Sequence, residues 1–367
     1  MIRKIFILGG GSLQLDLILE AKRMFFYTIV LDADKDCIGS KWCDKFLHID
    51  ISNKEEVLKK AIKYKIDAIL TSATEIGNVT ACYVGEKLGL YTNRYQTSLN
   101  TTNKILMKEI LKQHHIKTAK FEIYDSIKDD LSWDIFPCIV KPADSSAGRG
   151  VGYCSSKKEL DKAIDMALNY SKSKKVLIEE YIAGDQYSIE SISCNGKSQI
   201  LAIDKEYINK VPYIMEKAHM IPADIEQELK KNIEKIAKKV LKTFDILYGA
   251  SHIEVRVTSS KEIYIVEVAS RTGGMRSEMI NLAYGISFSQ LLLLSSLNKL
   301  SDVKHSRNDK IRCNFIINYE AYLHYLELKQ DKNTIIFEPF NIPLVNKDFM
   351  ANNIAESKGY YFILEKT

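Results

Sequence analysis

The first 95 residues alternate short apolar strands with amphipathic helices, and that alternation leaves room for little except a parallel sheet covered by helices. Lys4–Leu8 reads as a strand ending in Gly9-Gly10-Gly11, Leu13–Arg23 as a helix, and Tyr27–Leu31 as a second strand closed by Asp32. A charged helix, Lys54–Tyr64, a strand, Ala68–Thr71, and a helix, Val79–Leu88, continue the pattern. A connecting region, 96–135, holds one helix, Thr102–His114. From 136 to 300 the pattern becomes α+β, with strands at Cys138–Val140, Val176–Glu179, Tyr187–Ser193, Ile200–Asp204, Ala250–Val257 and Ile263–Val268. Its long amphipathic helix is Ile225–Phe244. Residues 301–367 mix short strands and loops around no motif. The fold class expected is α/β followed by α+β, divided at about 1–95, 96–300 and 301–367.

Composition removes several function classes. A net charge of +5, with Lys interleaved with Glu along Glu226–Lys242, describes a solvated helix face and not a nucleic-acid footprint. The seven cysteines are scattered and form no CxxC pair, so neither a zinc site nor a disulfide framework is expected. The apolar run after Met1-Ile2-Arg3-Lys4 stops at the glycines, too short for a signal peptide, and Leu291–Leu294 is too short to span a bilayer. A cytoplasmic protein is expected.

Two motifs compete for the chemistry. Gly9-Gly10-Gly11-Ser12 followed by Asp32 resembles a dinucleotide turn and its ribose acid, which would make the chain an NAD(P)-dependent oxidoreductase. Gln14 stands where the third glycine of that motif belongs, and the plainer reading is a tight strand-to-helix turn. The second pattern is spread over four segments. In Phe136-Pro137-Cys138-Ile139-Val140-Lys141-Pro142 a lysine ends an apolar strand, a costly place for a charge that meets no anion. Ser145-Ser146-Ala147-Gly148-Arg149-Gly150-Val151 follows, small enough to fold its backbone N–H groups over phosphates. Val176–Glu190 runs an apolar strand through Glu179-Glu180-Tyr181-Ile182 into a turn, offering apolar walls and a backbone hinge of the kind an adenine needs. Finally, Ser251–Val257 and Ile263–Gly274 form a hairpin with one glutamate on each strand, Glu254 and Glu267. Such a pair repels unless a cation joins it, and magnesium with nucleotide phosphates is the natural occupant. Arg271 beyond them suits a carboxylate or a transferring phosphoryl group.

In this order and spacing the four segments resemble the ATP-grasp superfamily, particularly its carboxylate–amine ligase and biotin-carboxylase-like branch, over about residues 1–300. The resemblance implies a Rossmann-like preATP-grasp domain, an ATP-grasp domain and a small C-terminal region. It implies that Lys104 and Lys141 bind phosphates, with Ser146, Gly148 and Gly150 in a loop above them. Glu179, Glu180, Tyr181 and Ile182 would form the adenine hinge, and Gln186 would take the place of a ribose-binding glutamate. Glu254 and Glu267 would bind metal. Arg271, Lys205 and His219 would serve catalysis, Lys205 toward the phosphates and His219 toward the acceptor. Many relatives carry asparagine two residues after the second metal-binding glutamate; here that residue is Ala269. The activity implied is ATP-dependent joining of a carboxylate to an amine through an acyl phosphate, with ATP and Mg²⁺ (or Mn²⁺) as cofactors and ADP and phosphate released. Bicarbonate activation and a non-catalytic nucleotide-binding relative are the alternatives within the family. The partners expected are a small-molecule carboxylate and amine, with no nucleic acid or membrane; a homo-oligomer is allowed. Substrate choice would fall to Gly11, Asp32, Glu75 and the Glu216–His219 segment.

Overall fold

The computed structural model describes residues 2–125, 132–145, 148–209 and 214–365. Its N-terminal part contains β1 (Lys4–Leu8), α1 (Ser12–Arg23), β2 (Tyr27–Asp32), β3 (Lys45–His48), α2 (Lys54–Tyr64), β4 (Ala68–Leu70) and α3 (Glu75–Leu88). The four strands pair in parallel, in the order β3-β2-β1-β4. β1 is apolar from Ile5 to Leu8 because both its faces are covered there. Phe6 and Leu8 pack with Val57 and Val84 of α2 and α3, while Ile5 and Ile7 pack with Leu17 of α1 and with apolar residues of the later domain. The glycine turn after β1 is held internally. Gly10 N donates to Asp32 Oδ2 (2.7 Å), and Gln14 fills the turn, its Nε2 donating to Ser72 O (2.7 Å). A side chain stands where a pyrophosphate would lie and Asp32 is engaged by the turn itself, so the dinucleotide reading gives way to the plain turn.

Two helices, α4 (Tyr95–Thr102) and α5 (Lys104–Gln113), replace the single helix expected at Thr102–His114. Asn103 divides them, its side chain accepting from Ile105 N and Leu106 N as the N-cap of α5. A four-stranded antiparallel sheet follows, built from β5 (Phe121–Asp125), β6 (Cys138–Pro142), β7 (Gly152–Cys154) and β8 (Lys175–Glu180) in the order β5-β8-β6-β7. Helix α6 (Lys157–Tyr170) covers one face, packing Leu160 and Ile164 on Cys138, Val140, Val176 and Ile178. The two-residue period then turns Ile139, Lys141, Leu177 and Glu179 to the other face.

The largest sheet has eight strands in the order β13-β12-β9-β10-β11-β14-β16-β15. Its members are β9 (Asp185–Cys194), β10 (Lys197–Asn209), β11 (Met215–Ile221), β12 (Gly249–Val257), β13 (Ile263–Ala269), β14 (Lys310–Phe315), β15 (Ile335–Phe337) and β16 (Tyr360–Glu365). Helix α7 (Gln227–Thr243) lies against one face, where its Ile233, Ala237 and Val240 meet Ile189, Ile203, Ile253 and Val255. Helices α8 (Arg276–Tyr284) and α9 (Phe288–Ser295) join the sheet to the N-terminal part, and α10 (Tyr319–Gln330) precedes β15. Residues 301–365 thus continue the large sheet, with β14 paired to β11. No helix among the described residues is long and apolar enough to cross a membrane.

Candidate active site

A cavity of about 870 Å³ lies where the two antiparallel sheets, the N-terminal part and the C-terminal strands meet. Its floor is the face of the large sheet turned away from α7. At one end, Ile139 of β6 and Ala119, Tyr181, Ile182 and Ile265 form an apolar slot of the kind a purine fills. The backbone here is partly engaged: Tyr181 N donates to Pro137 O (3.0 Å), and Ile182 O accepts from Arg256 Nη1 (3.0 Å). Glu180 also lines the cavity, and its carboxylate accepts from Lys120 N (2.9 Å).

Glu179 does something other than hinge an adenine. Its carboxylate lies between two lysines, with Lys108 Nζ and Lys141 Nζ each 2.9 Å away. Burial opposes its ionisation, and the two ammonium groups override burial and hold the carboxyl down at about 2. Lys108, sealed at 1% exposure, is pushed below its ordinary value by burial, whereas in the more open Lys141 the pull of Glu179 and Glu267 prevails over burial and the value rises. Glu179 thus aims Lys141 into the cavity. Lys104 begins α5, donates to Ser145 O (2.8 Å) at the start of the glycine-bearing loop, and lies 3.7 Å from Glu267 Oε2. Gly148 lines the cavity. Gly150 instead turns the chain behind the wall at φ +73°, where an added Cβ would meet Pro142 and Tyr170. Ser146 lies outside the described residues.

Glu254 and Glu267 are direct cross-strand partners, as the hairpin pattern requires. Lys104 holds the Glu267 carboxyl at about 2 against the opposing effect of burial, with Arg271 helping from 3.7 Å. The two glutamates bordering one cavity have the oxygen donors that would hold a hard divalent cation. Arg271 is fixed by Glu75 at the start of α3: its Nε donates to Glu75 Oε1 at 2.7 Å. Of the specificity candidates, Glu75 and Glu216 line the cavity, and Asp32 is held in its own turn.

Besides Glu179 and Gly150, three more expectations need correction. Lys205 does not face the phosphates. It sits on β10 beside Glu206, so strand alternation sends it to the opposite face, where it pairs with Asp185 (2.6 Å) and lies over the Tyr187 ring. His219 is fully buried beneath the site; it backs the wall residues Glu216 and Arg276 but is not itself part of the cavity wall. Gln186 reaches the wall, yet its amide is spent inside the protein. Nε2 donates to Glu206 Oε2 (2.6 Å) and Glu254 Oε2 (3.3 Å), and Oε1 accepts from Arg256 Nε (3.1 Å). An amide with those three bonds has little left for a ribose.

A buried charge network under the floor escaped sequence reading. Arg276, at 3% exposure, lies 2.8 Å from Asp204 and 3.0 Å from Glu206. His219 Nδ1 sits 3.2 Å from Asp204 and 3.1 Å from Arg276 Nη2. A guanidinium offers no acceptor, so a protonated ring meets it as donor against donor, a crowding that Asp204 and Glu216 together offset. Burial and Arg276 lower the His219 value, but Asp204 and Glu216 carry it up to about 9. Burial pushes Glu206 up to about 7, with Glu254 and Glu216 adding repulsion. The period-2 run Gln186, Ser188, Glu190 was a usable signal, since it places an acid on the same face as the expected site.

Residues 135–279 match the family model described as an ATP-grasp domain. A D-alanine–D-alanine ligase from Natranaerobius thermophilus is 30% identical over 213 residues, which is 52% of this chain and 57% of that protein. A formate-dependent phosphoribosylglycinamide formyltransferase from Bacillus velezensis is 26% identical over 282 residues, covering 73% of this chain and 71% of that one. The chain spans less than two thirds of the D-alanine–D-alanine ligases it matches, 57% and 62% of their length. The L-amino acid ligase of Bacillus licheniformis shares the fold over 100% of this chain and 94% of its own, with a TM-score of 0.80 at 19% identity. The similarity to an ATP-grasp domain thus lies in residues 135–279, and the fold shared with the L-amino acid ligase runs the whole length of the chain.

Proposed function

We propose that this chain is an ATP-dependent carboxylate–amine ligase that makes an acyl phosphate and releases ADP and phosphate. The observation carrying this reading is one cavity in which an apolar slot, Lys104 and Lys141, the facing Glu254 and Glu267, and Arg271 follow one another in the order that adenine, phosphates, metal and carboxylate require. Adenine takes the slot beside Tyr181 and Ile182. Lys104 and Lys141 hold phosphate oxygens. Glu254 and Glu267 hold the metal, which when bound neutralises phosphate charge. Arg271, fixed by Glu75, orients the substrate carboxylate toward the γ-phosphate and balances the charge that develops there. Glu216, which also lines the cavity, is kept ionised at about 2: burial opposes this and His219 enforces it, giving an incoming amine an anion to approach.

Beyond Arg271 the wall includes Met215, Phe315, Phe340, Ile354 and Tyr360. That apolar room favours an organic carboxylate over bicarbonate. The division into 1–95, 96–300 and 301–367 fits this scheme, the last piece supplying substrate wall. The test is a screen of carboxylate and amine pairs for ADP release, with product masses recorded. A product whose mass equals the two substrates less water supports the proposal. Nucleotide binding with no ADP from any pair rejects it.

A further inference from the structure

Strands β12 and β13 present a two-by-two patch: His252 and Glu254 on one strand, Ala269 and Glu267 opposite them on the other. Three corners carry an atom able to ligate a metal. The fourth is the buried methyl of Ala269. The side chain directly across from that methyl is His252, a residue of the cavity wall. Its Nε2 lies 3.2 Å from Glu254 Oε1, and its Nδ1 is bonded to Glu190 Oε1.

Glu190 is fully buried on β9 and is the ladder partner of His252. A carboxylate behind an imidazole whose far nitrogen reaches a second carboxylate is the arrangement that orients a metal-ligating histidine. The outer acid takes Nδ1–H, fixes the ring and turns Nε2 toward the ion. The chain also keeps space for this pair. At Gly273 an added Cβ would come within 2.7 Å of Glu190 Oε1 and 2.8 Å of His252 Nδ1, and Gly273 N donates to Glu190 Oε2 (3.3 Å). The close backbone seat clamps Glu190, and through it His252.

We propose that His252 Nε2 is a third protein ligand of the divalent ion held by Glu254 and Glu267, replacing the donor that Ala269 lacks, with Glu190 as its positioning residue. The inference rests on the metal reading above. A nitrogen ligand shifts preference from Mg²⁺, which favours oxygen, toward Mn²⁺ and the later divalent ions.

Pulsed electron paramagnetic resonance of Mn²⁺ tests this on the full chain, labelled with ¹⁵N-histidine and loaded with Mn²⁺ and unlabelled ADP. The expected spectrum shows ³¹P coupling from the nucleotide together with ¹⁵N coupling from the protein, already in the wild type. His252→Gln removes the ¹⁵N coupling and keeps the ³¹P coupling. Glu190→Gln lowers Mn²⁺ affinity about 10–100-fold, the usual cost of losing an outer-shell carboxylate. Ala269→Asn changes little in the wild type and recovers the Mn²⁺ affinity that His252→Gln weakens. Protein-bound Mn²⁺ with ³¹P but no ¹⁵N coupling, or ¹⁵N coupling that survives His252→Gln, overturns the histidine ligand while leaving the glutamate site standing. No protein-bound Mn²⁺ in the presence of ADP overturns the metal reading and this inference together.

Discussion

The two faces of the large sheet are made by the same strands from adjacent residues, yet they obey different rules. Ile189, Ile203 and Ile253 enter an apolar layer under α7, while their neighbours Glu190, Asp204 and Glu254 enter a charged layer under the cavity. The apolar face is stabilised by burial alone, about 1.5–3 kcal/mol for each large side chain, and tolerates a lost methyl. The charged face stands only while each charge keeps its partner, because an unpaired buried charge costs far more than a cavity of the same size.

The sharpest way to break this contrast is Arg276→Ala. It leaves Asp204 and Glu206 without their shared cation, and we expect a loss of about 3–5 kcal/mol in folding stability, measured by urea denaturation. Asp204→Asn in the same background should recover part of it. Recovery of nothing would show that the network is not electrostatically coupled.

Next in size is Lys141→Ala. Its ammonium faces the cavity while Glu179 keeps Lys108, so the fold should persist and ATP-dependent turnover should fall about 10²–10³-fold. Unchanged ATP kinetics would remove Lys141 from the phosphate site.

Acid should separate the faces further. Glu179 and Glu267 are held near 2, below the ordinary 4.5, so the stability they contribute is present above about 4.5 and is lost as pH falls toward 2. Glu206 runs the other way. The folded chain keeps a proton up to about 7 that the unfolded chain releases near 4.5, so its contribution declines as pH rises across that range. His219, raised from 6.5 to about 9, contributes below 6.5 and loses that contribution as pH climbs to 9. Glu206→Gln should flatten the fall between 4.5 and 7 in a denaturation series, and an unaltered slope would contradict the assignment.

The smallest expected effect belongs to the apolar face. Ile253→Val should cost about 0.5–1.5 kcal/mol at every pH and leave ATP kinetics intact. A pH-dependent cost there would mean that the two faces are not independent.

Much of this was legible in the chain. Alternation in 1–95 gave the parallel sheet, and the hairpin pattern placed Glu254 opposite Glu267. Lys104 begins α5, Lys141 stands one residue before the end of β6 and Arg271 two residues beyond β13, and positions at or just past the ends of regular elements are ones that sequence pattern identifies well. Lys205, His219 and Gln186 were misplaced for a different reason. Their roles depend on which face a strand residue takes, and on neighbours such as Glu206, Asp204 and Arg276 that come together only in the tertiary fold. Lys108 lies one turn beyond Lys104 on α5, and its partner Glu179 is 71 residues further along. No local pattern announces such a pair.

The central claim is that the charged face transfers a phosphoryl group from ATP to a carboxylate. It is tested most directly by running the reaction with a carboxylate labelled with ¹⁸O in both oxygens, taken from a pair that releases ADP. An acyl phosphate attacked by an amine leaves one labelled oxygen in the phosphate, so the account predicts one ¹⁸O per phosphate released, and a sharply reduced yield in Glu267→Gln. Phosphate free of ¹⁸O, or release of AMP and pyrophosphate in place of ADP, would contradict it.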